Sequence, residues 1–496
     1  MNINLPDDIS NSLSEVCMER NIDINKFVID LVSEEIEKFK SKSPLVVGNR
    51  EIYVAGYKPL QEQSEIIDLV KRGEPVVLSG PAGTSKTSVL TALSLTLPSF
   101  KYGVLFTSSN EEKKHLRRKF LRNIELVSQF SYPYRALASN YKEKPKFYLT
   151  TSDIEAICYL DLKPETKDQI YRSTIKTLER FSRTREPSIS SHHLVLPKFI
   201  KKDRKERLAA LILDTSQKYW EKITLGGNIS VTYSILMKLW HATKPVINSD
   251  IIFVDNVHNL HPLLVDIIMM QKLPKLLAYD EFMNQAEVES IDWAQYKNAH
   301  LVQLRNSYRF DEESIKITNT VLKKFLKAPA AKCLKKPFKE IEEKLACGKS
   351  AIICYGLKGV IRECFRAVNT GQRFHVLDCL DGFYSYLESS ISKPNRSNDS
   401  LSYKSSLYQE IIDLFGERSL LKLIPLIQRS SLEVANTLIT TAKTSAYFEF
   451  DNVTLSDDFI SPSDPNYTLQ DGVYLYVAVS RHRFKINIKE CNALNI

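Results

Sequence analysis

A short loop that follows an apolar run and opens a helical run constrains this chain more than any other sequence feature. Residues 76–79 (VVLS) lead into residues 80–87 (GPAGTSKT), and residues 88–93 (SVLTAL) continue as a helical pattern. In a strand–loop–helix context, the backbone N–H groups of the loop and the helix N-terminus bind phosphate oxygens. The pattern therefore predicts a nucleotide-binding loop in an α/β fold, with Gly80 and Gly83 in the turn.

Individual side chains of this loop have distinct expected roles. Lys86 would contact the β- and γ-phosphates, and Thr87 would bind Mg²⁺ through its hydroxyl group. Ser85 occupies the position before the lysine, where the GxxxxGK[ST] motif has glycine. Because that position often needs a conformation that only glycine reaches at low cost, we expect Ser85 to strain or alter the loop. The alternative is a Lys-Thr helix start after a glycine-rich turn, without a bound nucleotide.

A second candidate site element is an apolar run that ends in an acid. Residues 251–254 (IIFV) predict a buried strand, and Asp255 follows it directly. In enzymes with such a phosphate loop, an aspartate at this point binds Mg²⁺. The next residue is usually a glutamate that polarises the attacking water, but here it is Asn256, whose amide orients a water and cannot accept its proton. We therefore expect slow chemistry at this site.

The remaining apolar runs alternate with helical stretches in two series, which is typical of parallel α/β sheets. We predict one α/β domain at 44–300 and a second at 301–496, and a basic, mostly helical insertion at about 111–250 interrupts the first. The predicted strands are residues 76–78, 104–106 and 251–254 in the first domain and residues 351–353, 374–377, 437–439, 453–455 and 474–479 in the second.

The N-terminal segment, residues 1–43, differs from the rest of the chain in pattern. Residues 2–5 alternate polar and apolar side chains, and two helical patterns follow, which resembles a ribbon-helix-helix module. Such a unit is too small to bury its own core, so we expect it to dimerise or to dock on another protein subunit. The alternative is a helical hairpin that packs on the main body.

Charge and composition limit the function classes. The formal net charge is +9, of which residues 1–43 carry −4 and residues 44–496 carry +13. A basic body is typical of nucleic-acid binding, with an ordinary solvated surface as the alternative, whereas the acidic segment argues against DNA reading by residues 1–43. No apolar run reaches the ~18 residues of a membrane span, and the polar N-terminus does not resemble a secretory signal. Eight cysteines without a CxxC pair argue against a disulfide framework, so we expect a cytoplasmic protein.

Further segments match, in sequence order, the motifs of one enzyme family. The chain resembles superfamily 1 DNA helicases of the UvrD-like class and, within that class, the F-box-type DNA helicases, although no F-box is visible. The matching segments are residues 56–61 (GYKPLQ), 80–87, 104–110 (VLFTSSN), 239–245, 251–256, 304–310 (LRNSYRF), 438–459 and 475–483 (LYVAVSRHR). The resemblance implies two RecA-like domains that hold ATP and Mg²⁺ in the cleft between them, next to a surface for single-stranded DNA.

The resemblance also implies roles for individual residues. Gln61 would contact adenine, with Gln63 as the weaker alternative, and Glu449 would contact the nucleotide. Arg309 and Arg481 would reach the γ-phosphate from the second domain. The implied DNA-contact loop and the basic helix after it contribute Thr107, Ser108, Asn110, Lys113 and Arg117.

Four motifs depart from the family pattern in chemically central groups. Besides Ser85 and Asn256, the glutamine that senses the γ-phosphate falls on Met283, and a lysine–glycine pair falls on Ala446 and Tyr447. Retained nucleotide-binding residues with lost catalytic groups favour a helicase-like subunit of a DNA-bound assembly that hydrolyses ATP slowly or not at all. The alternatives are an active translocase and a protein-binding scaffold without DNA contact. The ribbon-helix-helix-like module would imply a bacterial, archaeal, phage or plasmid source.

Overall fold

The structure covers most of the chain outside its N-terminal segment. The computed structural model describes residues 53–54, 58–97, 101–197, 204–283, 293–296, 298–335, 349–378, 380–392, 403–446 and 448–494. The module predicted at residues 1–43 lies outside the described residues, as does Tyr447. Across the described ranges, no helix is both long and apolar enough to cross a bilayer.

The first of two parallel sheets is built from six strands. They are β1 Pro75–Ser79, β2 Gly103–Thr107, β3 Ile124–Ser128, β4 Ile251–Val254, β5 Lys275–Tyr279 and β6 His300–Gln303. Their order is β3-β2-β4-β5-β1-β6, and each neighbouring pair is parallel. Strands β2 and β4 are buried along their whole length, as expected where helices cover both faces of a parallel sheet.

Helices cover the two faces of this sheet, and neighbouring strand residues face opposite cores. Val76 and Leu78 of β1 pack in one core, on the first face of the sheet, whereas Val77 packs in a separate core on the second face. The helices are α1 Gln61–Lys71, α2 Lys86–Thr96 and α3 Asn110–Arg117 on the first face, and α8 Tyr233–Ala242 and α9 Pro262–Met270 on the second.

Helices also fill the chain between β3 and β4. They are α4 Ser131–Leu137, α5 Thr151–Glu155, α6 Pro164–Ser182 and α7 Lys205–Leu225, followed by α8. The long helices α6 and α7 pack together around a core of their own, in which Phe181 and Tyr219 are fully buried. Strand β3 lies inside the range in which the sequence predicts a helical insertion, yet it pairs with β2 in the first sheet.

The second parallel sheet has five strands. They are β7 Ser350–Cys354, β8 Phe374–Val376, β9 Thr437–Thr441, β10 Phe450–Leu455 and β11 His482–Asn487, in the order β11-β10-β7-β9-β8. The helices of this part are α10 Glu312–Lys324, α11 Leu357–Asn369, α12 Asp381–Ser392, α13 Tyr403–Phe415, α14 Glu417–Gln428, α15 Ala442–Ser445 and α16 Leu469–Val479. Two parallel sheets with flanking helices confirm the predicted α/β class, and they are compatible with two RecA-like domains.

One predicted strand is wrong. The sequence pattern places residues 474–479 in the second sheet, but they form the end of α16. The helix starts where the Thr468 backbone N–H and hydroxyl group both donate to Asp471 Oδ2, at 2.6 and 2.8 Å. Because residues 475–479 are buried on every side, the run shows no helical period and resembles a buried strand. The sheet is instead completed by β11, which directly follows this helix.

Candidate functional site

The predicted phosphate loop joins β1 to α2 at the carboxyl end of the first sheet. Gly80 is required there because a Cβ atom would lie 2.5 Å from the Leu304 carbonyl oxygen. Gly83 has a φ of +84°, and a Cβ atom on it would lie 3.0 Å from the Phe310 ring. Ser85 has a φ of 64° and a ψ of 26°, so it keeps the left-handed conformation without being glycine. This conformation costs a non-glycine residue ~1–2 kcal/mol, which matches the strain expected from the sequence.

Lys86, the first residue of α2, turns back over the loop. Its Nζ donates to the carbonyl oxygens of Gly80 and Pro81, at 2.6 and 2.8 Å, and lies 4.0 Å from Asp280 Oδ2. Burial lowers the pKa of Lys86, while the carboxylates of Asp280 and Asp255 oppose that change. The ammonium group is therefore held over the loop by two of its own carbonyl oxygens.

Thr87 and Asp255 form the pair expected to bind Mg²⁺. The Thr87 hydroxyl group donates to Asp255 Oδ2 at 2.7 Å, which joins the start of α2 to the end of β4. A hydroxyl and a carboxylate oxygen are hard ligands of the kind that Mg²⁺ prefers. Burial raises the pKa of Asp255, and the Thr87 hydrogen bond and the positive charges of Lys119 and Lys86 oppose it. Thr87 and Asp255 are thus the residues that could hold Mg²⁺, and Lys86 lies near Asp255.

Sequence analysis missed a buried carboxylate beside Asn256. Glu112, on α3, is 6% exposed, and its Oε1 accepts from Asn256 Nδ2 at 2.8 Å. Its Oε2 accepts from the Ser108 backbone N–H and hydroxyl group, at 2.7 and 2.8 Å. Burial raises the pKa of Glu112, whereas the bonds from Asn256 and Ser108 lower it. Asn256 itself has a φ of 53°, a left-handed conformation that asparagine tolerates better than most residues.

The two expected arginine residues come from the second part of the chain and lie together. Arg309 Nη1 donates to the Ser480 carbonyl oxygen at 3.1 Å, and Nη2 forms a short ion pair with Glu449. Arg481 is buried and donates to the Ala446 carbonyl oxygen at 3.0 Å. Burial would raise the pKa of Glu449, but Arg309 and Arg481 outweigh it and bring the pKa to about 2. Glu449 is thus an ionised partner of the arginine pair.

A tyrosine of α16 reaches into the phosphate loop. The Tyr476 hydroxyl group accepts from the Ala82 backbone N–H at 2.7 Å and donates to Asp280 Oδ2 at 2.6 Å. The Phe310 ring lies close to Gly83 of the same loop. Helix α16 packs in the core of the second sheet, so these contacts join the loop of the first sheet to the second part of the chain.

The two glutamines considered for adenine differ in environment. Gln61 is exposed on the first turn of α1. Gln63 is fully buried, its Oε1 accepts from the Leu60 backbone N–H at 3.0 Å, and its amide lies beside the Tyr308 hydroxyl group. Gln61 is therefore open to solvent, whereas Gln63 is enclosed by protein, and Gln61 stays the predicted adenine contact with Gln63 as the alternative.

The residues expected to contact DNA do not share one environment. Thr107 is buried at the end of β2, and Ser108 is bonded to Glu112. Asn110 is exposed and Lys113 is half-buried. The Arg117 guanidinium donates to three backbone carbonyl groups between α3 and β3, at 2.5, 2.8 and 2.9 Å, which is a structural role.

A cavity of about 330 Å³ lies beside this site, between the two parts of the chain. Phe130 and His258 line it from the first part, and Lys443 and Tyr474 line it from the second. Its wall also contains Met283, at the position where the family has a glutamine. Aromatic and basic side chains therefore line the same cavity.

Aromatic rings continue outward from this cavity over the helical region. Phe130 contacts Tyr233 with the ring centroids 5.6 Å apart, and Tyr233 contacts Phe147 at 5.2 Å and Tyr134 at 6.4 Å. Phe147 and the next residue, Tyr148, are 76% and 74% exposed. We call these five residues the aromatic strip.

Comparison with known proteins gives a relative in sequence. The chain is 26% identical over 284 residues to F-box DNA helicase 1 of Gallus gallus, a match that covers 53% of this chain and 28% of that protein's length. No protein-family model matches the chain. This similarity supports the helicase-like part of the prediction.

Two viral helicase structures were also found. They are Arterivirus nonstructural protein 10 and the PRRSV helicase, each 11% identical and aligned over 86% of this chain. The alignments cover 61% and 53% of those chains, with TM-scores of 0.28 and 0.29. TM-scores this low support no conclusion about fold or function.

Proposed function

We propose that this chain is a superfamily 1 helicase-like protein that binds ATP and Mg²⁺ between its two α/β parts. The observation that carries the proposal is the convergence of two groups of residues. Lys86 lies near enough to Arg309 and Arg481 for their charges to lower its pKa, and Thr87 and Asp255 are hydrogen-bonded beside it. Three phosphate groups and Mg²⁺ need such a set of cations, a hydroxyl group and a carboxylate.

Hydrolysis of the bound ATP is proposed to be slow. Asn256 cannot take a proton from water, and Met283 cannot hydrogen-bond a γ-phosphate oxygen. Loss of a general base commonly costs ~10²–10⁴-fold in rate. An ATP turnover of ~10 s⁻¹ with DNA present, the median for enzymes, would favour the alternative of an active translocase.

Nucleotide binding is tested by replacing the loop lysine. Lys86→Met keeps the buried stem but removes the ammonium group, so we expect fluorescent ATP to lose at least tenfold in affinity. Lys275→Met is the matched control, because Lys275 is also buried and donates to a backbone carbonyl oxygen, that of Gln271, at 2.5 Å. Equal affinity in the Lys86 and Lys275 variants would contradict the proposal.

We further propose that the chain binds single-stranded DNA along the cavity and the aromatic strip. Exposed rings such as Phe147 and Tyr148 stack on bases, and Arg183 and Lys443 at the cavity supply positive charge for the backbone. The charge of +13 on residues 44–496 supports the same conclusion. Asn110 and Lys113 remain proposed contacts.

DNA binding is measured by fluorescence anisotropy with a labelled oligonucleotide at two salt concentrations. We expect affinity to fall steeply between ~50 and ~200 mM salt. Phe147→Ala with Tyr148→Ala should weaken binding at least tenfold, because stacking is worth ~1–3 kcal/mol per base. Tyr159→Ala is the control, since Tyr159 is 71% exposed but outside the strip. Absence of binding at low salt would leave the second alternative, a protein-binding scaffold without DNA contact.

The setting of this activity is also a proposal. Slow turnover suits a subunit of a DNA-bound assembly better than a motor that works alone. Residues 1–43 would dimerise or dock on another subunit, in the cytoplasm of a prokaryote or in a phage or plasmid system. Light scattering on the full chain and on residues 44–496 tests the dimer, and equal mass per particle would contradict it.

A further inference from the structure

A hydrogen-bonded pair of side chains stands where related catalytic sites have one glutamate. Asn256 follows Asp255 at the end of β4, and Glu112 comes from α3, 144 residues earlier in the chain. Glu112 is buried and Asn256 is half-buried. The pair lies next to Asp255, which is hydrogen-bonded to Thr87 and which we propose, with Thr87, as a ligand of Mg²⁺. Because both members are polar and one is charged, the arrangement is costly unless each group is hydrogen-bonded.

The partners of Glu112 determine how the Asn256 amide is oriented. A carboxylate only accepts hydrogen bonds, so the Nδ2 side of Asn256 must face Glu112. The Ser108 backbone N–H and hydroxyl group donate to the other carboxylate oxygen, so three donors hold Glu112 in place. The Asn256 Oδ1 atom consequently points away from Glu112, and it has no hydrogen-bond donor among the described residues.

We propose that Glu112 is a positioning residue for the water that attacks ATP, acting through Asn256. Glu112 holds the amide so that Oδ1 accepts a hydrogen bond from this water. The water oxygen then bonds to the γ-phosphorus while the bond from that phosphorus to the β–γ bridging oxygen breaks, and ADP leaves with the electron pair. Neither residue takes the proton, which passes to a γ-phosphate oxygen. This inference rests on the proposed function.

The alternatives for Glu112 are a purely structural cap and a direct proton acceptor. As a cap it would stabilise the turn after β2 without any effect on turnover. A direct proton acceptor would need an oxygen free toward the nucleotide, whereas Oε1 and Oε2 both face protein donors. The positioning role alone needs the hydrogen bond between Glu112 and Asn256.

An exchange of the two side-chain groups provides the test. Glu112→Gln alone keeps a bond to residue 256 only if the Asn256 amide turns over, because the glutamine NH₂ group then donates to Oδ1 and Nδ2 instead points away from residue 112. Asn256→Asp alone places two carboxylates in contact. The double variant restores every bond, because the introduced glutamine amide accepts from Ser108 and donates to the introduced aspartate, and it keeps the net charge. We expect Asn256→Asp to lower the melting temperature of the nucleotide-free protein by about 2–4 °C, Glu112→Gln to lower it by less, and the double variant to recover the original value.

Turnover separates positioning from capping. Glu112→Gln should lower kcat at least tenfold with affinity for fluorescent ATP changed less than threefold, and the double variant should regain or exceed the original kcat. Glu125→Gln is the control, since Glu125 is a half-buried carboxylate of β3 that is bonded to Tyr102 and ion-paired with Arg135. We expect its kcat to be unchanged.

Three results would overturn the inference. The first is an unchanged kcat in Glu112→Gln. The second is a double variant whose melting temperature is no higher than that of Asn256→Asp alone. The third is that the unsubstituted protein binds ATP but hydrolyses it no faster than the Lys86→Met variant does. Failure of the full chain to bind fluorescent ATP would instead refute the proposed function itself, so the two failures are distinguishable.

Discussion

Replacing Tyr476 with phenylalanine removes one oxygen atom at the contact between the two α/β parts. That oxygen accepts from the Ala82 backbone N–H at 2.7 Å and donates to Asp280 Oδ2 at 2.6 Å. The residue is fully buried, so water cannot replace the lost partner without a rearrangement. Burial raises the pKa of Asp280, and the Tyr476 hydrogen bond opposes that change. Tyr476→Phe therefore leaves both a buried N–H and a buried carboxylate with fewer partners.

The loss of these two hydrogen bonds determines how far the free energy of unfolding should fall. A buried donor without a partner costs ~1–3 kcal/mol, and a hydrogen bond to a charged group contributes ~1.5–3 kcal/mol. The apolar ring remains, and Lys86 Nζ still lies 4.0 Å from the carboxylate, which limits the loss. We expect the free energy of unfolding to fall by about 3 kcal/mol.

Urea unfolding followed by tryptophan fluorescence measures this change, with Tyr467→Phe as the matched control. The Tyr467 hydroxyl group donates to the Phe325 carbonyl oxygen at 2.7 Å, a neutral acceptor in the second part of the chain. Its loss should cost about 1 kcal/mol. If Tyr476→Phe cost no more than Tyr467→Phe, the hydroxyl group would not be holding the loop and the reasoning would be refuted.

Three further predictions concern the same cleft. Gln61→Ala should weaken ATP binding about 3–10-fold while Gln63→Ala leaves the affinity unchanged, and the reverse result in a nucleotide titration would favour Gln63 as the adenine contact. Glu449→Gln should strengthen ATP binding, because it frees Arg309 from an ion pair; equal affinity in calorimetry would contradict this. Burial lowers the pKa of His258 to about 3 from its ordinary 6.5, so only the unfolded chain binds a proton there between those values. The free energy of unfolding of the original protein should therefore fall, relative to that of His258→Asn, by ~1.4 kcal/mol per pH unit as the pH drops below about 6.5. If the free energies of unfolding of the two proteins changed in parallel with pH, this prediction would be wrong.

Local sequence patterns predict the strands of this chain only where the pattern is distinctive. The run before the phosphate loop and the run before Asp255 are short, apolar and bounded by polar residues, and both form strands where expected. Residues 474–479 are equally apolar but belong to a helix, because a fully buried helix has no amphipathic period. Strand β3 was missed because its five residues alternate weakly and follow a strongly basic helix.

Local sequence patterns identify site residues that are neighbours in the chain, but they do not identify pairs that only the fold brings together. Lys86 and Thr87 are adjacent in sequence, so one motif predicts both. Glu112 stands in the charged run NEEKKHLRRK, where an acid is usually on a solvated helix face. Only the fold brings it to Asn256, and the one available signal was the absence of a glutamate at 256. Arg117 lies in the same run, and the sequence pattern does not show that its guanidinium group donates to three backbone carbonyl groups.

The contacts between the two parts of the chain use groups to which we assign nucleotide binding. Tyr476 takes the Ala82 N–H of the phosphate loop, and Glu449 takes the charge of Arg309. A bound triphosphate would compete with both, so its affinity must depend on how the two parts are arranged, and the arrangement must depend equally on the nucleotide. A chain that hydrolyses ATP slowly would keep the nucleotide-bound arrangement for a long time. Such persistence suits a protein whose bound state holds a DNA assembly together, and it does not suit a motor that must cycle rapidly.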